Sequence, residues 1–174
     1  MEKSVLSYES DLTPGIAKFF GMFQDNRRRL MHMLEDVTDE MIDYTPKDGT
    51  FETIGTLLHH IAAIEWDWIF GDIDGQQMDW DTWKYAFANR YEEVDQQKNK
   101  GKQYYLDILQ KVRTDVQNRF RRFTDEDLKR EIESGTESGR IYSIEWIFFH
   151  LINHEALHLG QISVLKRLYK TQNN

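Results

Sequence analysis

Apolar residues recur along this chain at the three- and four-residue intervals of helices, in four separate blocks. The first block, Ile16, Phe19, Phe20, Phe23, Leu30 and Leu34, follows Thr13-Pro14, an N-cap residue with proline at the first helical position. It predicts a helix to about residue 36. The second starts near Thr53 with Ile54, Leu57, Ile61, Ile64 and Trp68 and ends at Gly71. The third uses Tyr105, Ile108, Leu109, Val112, Val116, Phe120 and Phe123. The fourth starts at a Ser143 cap and carries Ile147, Leu151, Ile162 and Leu165. Lys166, Arg167 and Lys170 follow near its end, where cations suit the helix dipole. No stretch sustains the period of two that marks a strand. Four amphipathic segments of roughly 18 to 25 residues predict an all-α fold, a helical bundle. Residues 72–98, with Trp80, Trp83, Tyr85, Phe87 and Tyr91, read as a crossover carrying a short helix at one end of the bundle. There Trp80, Trp83 and Tyr85 would plug the bundle's end or a subunit contact, in preference to forming a lid or pocket wall.

The chain also echoes itself. Thr38-Asp39-Glu40 precedes Thr53-Ile54 and His60, and Thr124-Asp125-Glu126 precedes Ser143-Ile144 and His150. The spacing is 86 residues at the first landmark and 90 at the other two. This suggests two related halves, each a helix pair joined by an elaborate connection.

Composition narrows the function. A chain of 174 residues is one domain by size, spanning 1–174, and buries a core without staples. A net charge of −8 argues against nucleic-acid binding, which needs a dense basic patch. Arg27-Arg28-Arg29 reads as a solvated helix face. The absence of cysteine excludes a disulfide framework, thiolate metal ligation and a cysteine nucleophile. Met1-Glu2-Lys3-Ser4 begins no apolar leader, and no stretch approaches the ~18 apolar residues of a membrane span. A soluble, cytoplasmic protein with no membrane partner is expected.

The chemistry lies in His154-Glu155-Ala156-Leu157-His158. Two histidines four apart on a helix share a face, about 6 Å from each other, close enough to hold one metal ion. Both occupy the apolar stripe Ile147, Leu151, His154, His158, Ile162, Leu165, and so replace core positions. His60, between Leu57 and Ile64, also faces the core or its margin, where an imidazole needs a partner. Three such histidines on facing helices point to a divalent metal. His59 is expected to face outward, and His32 to lie at the surface or boundary of the first helix. His150, one turn before His154, is expected outside the ligand set, supporting a ligand or lining a pocket.

The segment Thr53-Ile54-Gly55-Thr56-Leu57-Leu58-His59-His60-Ile61-Ala62, with His154-Glu155-Ala156-Leu157-His158-Leu159-Gly160-Gln161-Ile162, resembles the DinB superfamily of metal-binding four-helix proteins. The resemblance covers nearly the whole chain. It implies a four-helix bundle in up-down-down-up order, with His60, His154 and His158 as ligands of one nickel or zinc ion. It also implies a small-molecule substrate, since some members are thiol-dependent transferases or isomerases using bacillithiol or mycothiol. A homodimer is expected. Many relatives carry arginine after the second histidine of the late motif, where this chain has Leu159, a difference expected to affect surroundings and not coordination.

Three functional classes compete. The literal HExxH spacing would suggest a zinc peptidase with Glu155 as base. No His, Asp or Glu follows His158, and the position of a further downstream histidine is Val164. Glu155 also points about 100° away from His154 around the helix. A non-catalytic metal or small-molecule binding protein is a second class. The favoured class is a metal-dependent enzyme, a thiol S-transferase first and a hydrolase second. A three-imidazole site leaves the ion its full charge, which would deprotonate either a thiol or a water.

Overall fold

The computed structural model describes residues 6, 9, 11–46, 52–88, 90–91, 93–135 and 139–172; the start Met1-Glu2-Lys3-Ser4, expected to carry no leader, lies outside them. Helix α1 (Pro14–Leu34) begins at the predicted proline. Its N-cap hydroxyl is used across the molecule: Thr13 Oγ1 donates to Asp125 Oδ1 at 2.6 Å. The same carboxylate accepts from the backbone N–H groups of Gly15 at 2.9 Å and Ile16 at 3.1 Å, donors that a helix start leaves without partners. A Cβ at position 15 would stand 2.8 Å from Asp125 Oδ1, so the approach needs glycine.

The short helix α2 (Asp39–Ile42) is capped by Thr38, whose Oγ1 accepts from Met41 N at 3.3 Å. Helix α3 (Ile54–Trp66) opens on Thr53, whose Oγ1 accepts from Thr56 N at 3.0 Å. It does not run as an α-helix to Gly71: from Asp67 to Ile73 the chain continues as a π-helix. That wider turn shifts the side chains that follow relative to the apolar stripe. Residues 72–98 hold helix α4 (Trp80–Trp83) and a 3₁₀ turn (Lys84–Phe87), packed on α3. Helix α5 (Gly101–Phe120) follows. A second 3₁₀ turn (Asp127–Lys129) leads to an antiparallel hairpin of β1 (Glu131–Glu133) and β2 (Ile141–Ser143), with Glu131 opposite Ser143. The hairpin adds a small sheet to an otherwise helical fold. Helix α6 (Ile144–Gln172) continues directly from β2, and Ser143 Oγ accepts from Trp146 N at 3.1 Å as its cap.

The four long helices close around one core: α3 packs on α5 and α6, and α1 on α6 and α5. Phe20, Leu30, Leu58, Leu109, Phe120 and Phe148 are among its buried residues. Among the described residues, no helix is long and apolar enough to cross a membrane.

The echo in the sequence reappears in space. Asp125, in the second half, caps α1 of the first; Asp39, 86 residues earlier, caps α5 of the second by accepting from Lys102 N at 2.7 Å. At the centre, Arg27 Nε donates to Glu155 Oε1 at 2.6 Å and its Nη2 to Glu65 Oε2 at 2.8 Å. Arg113 Nη2 donates to Glu155 Oε2 at 2.8 Å and Glu65 Oε2 at 3.1 Å. Its Nε lies 2.7 Å from Glu65 Oε1, an ion pair too bent for a hydrogen bond. The arginines are 86 residues apart and the glutamates 90, the spacings already seen at Thr38/Thr124 and at His60/His150.

All four members of this quartet are buried. Arg27 therefore departs from the expected solvated face, whereas Arg28 and Arg29 keep to it and pair with Asp25. Burial pushes the Glu155 carboxyl up, but the charges of Arg27 and Arg113 outweigh it and hold the group below its ordinary value. Burial likewise opposes the Arg27 charge, and Glu155 and Glu65 outweigh that too.

Candidate metal centre

α3 and α6 pack face to face, and their contact brings His60 against His154 and His158. His154 Nε2 lies 3.2 Å from His60 Nε2 and 3.0 Å from His158 Nε2. The three ligand atoms all lie within 4.8 Å of one another. Two nitrogens bound tetrahedrally to one ion at about 2.0–2.1 Å would stand about 3.3 Å apart, so the spacing suits a shared ion.

The outer nitrogens decide which lone pairs face inward. His60 Nδ1 lies 2.9 Å from the carbonyl oxygen of Ala86, which can only accept. His158 Nδ1 lies 2.5 Å from Gln161 Oε1. Assigning a proton to each Nδ1 from these acceptors leaves both Nε2 atoms as bare lone pairs aimed at His154. A single proton on His154 Nε2 could satisfy only one of them. Such an excess of acceptors suits a cation.

Burial favours the neutral form of all three rings, the form that metal ligation requires. Burial, followed by the neighbouring His158, pushes His60 down to about 4. Burial and the surrounding imidazoles push His154 down to about 2. Burial also lowers His158, against the pull of its Gln161 hydrogen bond.

A cavity of about 470 Å³ adjoins the cluster, lined in part by His60, His154, Phe87, Trp68, Trp146 and His150. His150 thus takes the pocket-wall role. Its ring stacks on Trp146 at 5.0 Å and sits 5.1 Å from Trp68 and 5.9 Å from His154. Burial lowers its pKa as well. Asp67 and Asp72 line the same space, with Arg90 and Arg140 on its exposed side. Burial, then the charge of Asp72, pushes the Asp67 carboxyl up to about 6.

Several residues fall elsewhere than their local pattern suggests. His59 is not outward: it is 1% exposed, against Trp83 and Tyr105. Trp83 is buried against His59 and Trp66, while Trp80 stays exposed against Phe87 and Tyr91. From the aromatic connection it is Phe87 and the Ala86 carbonyl that reach the site. Glu155 belongs to the buried quartet, two guanidiniums occupying its oxygens, so it cannot serve as the base of an HExxH peptidase. Glu65 and Arg113 were marked by no motif, and Arg27 only by a basic run read as solvated, yet the 86- and 90-residue spacings pair each with its counterpart.

The sequence is 22% identical over 169 residues to the uncharacterized protein YkkA of Bacillus subtilis, covering 95% of this chain and 94% of that one. The structure is similar to the crystal structure of a DinB-like protein from Bacillus cereus, with a TM-score of 0.64 and 24% identity over 87% of this chain and 92% of that chain. It is also similar to a Streptococcus pneumoniae protein, with a TM-score of 0.62 and 11% identity over 93% of each chain. The two structural likenesses give the fold, and the family's own sequence model matches residues 22–162, all four long helices included in whole or in part. The chain belongs to the DinB superfamily.

Proposed function

We propose that this chain is a metal-dependent enzyme in which His60, His154 and His158 hold one divalent ion, nickel or zinc, beside a cavity that takes a small molecule. The observation that carries the reading is the convergence of three neutral imidazole nitrogens at a cavity wall, two of them turned inward by carbonyl acceptors. When bound, the ion supplies an undiminished positive charge at which a thiol or a water loses its proton near neutral pH.

The chain has no cysteine, so a thiol must arrive as a cosubstrate. The favoured reaction is transfer of a low-molecular-weight thiol of the bacillithiol or mycothiol type to an electrophile. The sulfur lone pair forms the new S–C bond as the leaving group departs with its electron pair. Within this reading, Phe87, Trp68 and Trp146 shield the reacting atoms from water, and Arg90 and Arg140 attract anionic parts of the cosubstrate.

One observation favours hydrolysis as the second reading. Asp67 faces the cavity with a carboxyl pushed up to about 6, suited to taking a proton from water. Titrating thiols into cobalt-substituted protein separates the two. Sulfur coordination gives an intense near-ultraviolet charge-transfer band that His60→Ala should abolish. Turnover of a hydrolysable substrate with no thiol band would move the assignment to a hydrolase. Neither result across broad screens would leave a binding protein.

A further inference from the structure

The twofold relation between the halves extends into the metal centre. A step of 90 residues carries Thr53 onto Ser143, His60 onto His150 and Glu65 onto Glu155. Paired residues do matching work: Thr53 and Ser143 each cap their helix, and Glu65 and Glu155 bind the same two guanidiniums. The same step carries Ile64 onto His154 and Trp68 onto His158. The ligand set takes one histidine from α3 and two from α6. Its twofold counterpart takes His150 from α6, and Ile64 and Trp68 from the α3 segment.

The members of that counterpart share one cavity wall, and two of them touch. The His150 and Trp68 rings are 5.1 Å apart, the separation of His60 from His158. Ile64, Trp68 and His150 line the same cavity as His60 and His154. The π-helix that begins at Asp67 is where the two halves part, one residue before Trp68.

We propose that His150, Ile64 and Trp68 mark a second metal position of this fold, lacking two of its three imidazoles. Histidines at 64 and 68 would make it a site for a divalent transition ion that prefers nitrogen ligands, such as cobalt or zinc. The proposal rests on reading His60, His154 and His158 as a metal site, and the experiment keeps the two apart. Metal-free protein is titrated with cobalt(II), and the equivalents taken up are measured by equilibrium dialysis with visible absorption reporting coordination.

One equivalent is expected for the natural chain and two for Ile64→His/Trp68→His. Adding His150→Ala to that double variant should return the count to one. A natural chain that binds no cobalt, beside a double variant that binds one ion through His150, would sink the parent reading and leave this one standing. A double variant with native helical circular dichroism that gains no site overturns the proposal. Should the double variant lose its helical signal, Trp68→His alone decides the matter. The single imidazole it introduces, paired with His150, should add a weaker copper(II) site that disappears with His150→Ala, and no added site overturns the proposal.

Discussion

Arg27 donates from Nη1 to the backbone carbonyl of Leu109, and Arg113 donates from Nη1 to that of Phe23, so each guanidinium anchors on the helix that carries the other. Phe23 and Leu109 are 86 residues apart, as are the two arginines. The exchange is reciprocal, and between the two arginines lie the carboxylates of Glu65 and Glu155.

Breaking this arrangement on one side should be costly. Arg113→Met leaves two buried carboxylates with one counter-charge and should lower unfolding free energy by about 3–5 kcal/mol. Denaturant titration measures it. Glu155→Gln should destabilise the fold while leaving metal affinity nearly unchanged, because Glu155 faces the arginines. A Glu155→Gln protein of native stability would contradict the structural role given to that carboxylate.

If His60, His154 and His158 hold one ion as proposed, removing any one of them should strip it. Even loss of a ligand's supporting hydrogen bond typically costs about 10- to 100-fold, so His154→Ala should exceed 100-fold in dissociation constant. Stoichiometric metal at unchanged affinity in the triple alanine variant would show that the ion sits elsewhere.

Gln161 offers a subtler test. Its Oε1 accepts from His158 Nδ1, and Gln161→Leu removes that acceptor while keeping all three imidazoles. Metal affinity should fall about 10- to 100-fold. An unchanged affinity would mean that the His158 ring is held by packing alone.

His59 should make the protein acid-sensitive. It is buried, and its Nδ1 has no hydrogen-bond partner among the described residues. Burial pushes its pKa down from 6.5 to about 4 in the folded chain. The unfolded chain takes up a proton near 6.5 and the folded one does not, so stability is full above that value and declines as pH falls toward about 4. The loss attributable to His59 approaches about 3 kcal/mol. His59→Phe, compared with the natural chain between pH 7 and pH 4 by thermal unfolding, should show a smaller decline. Parallel curves would remove His59 as the cause.

The helices and caps could be read from the sequence because their signals are local: Pro14, Thr53 and Ser143 each stand where a helix starts. The convergence of His60, His154 and His158 could be read because histidines on an apolar stripe must meet the neighbouring helix. His59 could not. Helix α3 buries ten of its thirteen residues, enclosed by α5, α6 and the α4 connection, so the rule of one apolar face fails there. Arg27 looked solvated because its neighbours Arg28 and Arg29 are, and a charge in the core shows only through a partner distant in sequence. The hairpin escaped because strands of three residues are too short to display a period of two.

The buried quartet has a consequence for how the molecule comes apart. Each half contributes one arginine and one glutamate, and each guanidinium contacts a carboxylate of the other half. Opening either helix pair alone would strand ions in the apolar surroundings of the pair that stayed closed. A half-open intermediate is therefore penalised from both sides, and the two halves should melt as a single cooperative unit despite being separate stretches of chain.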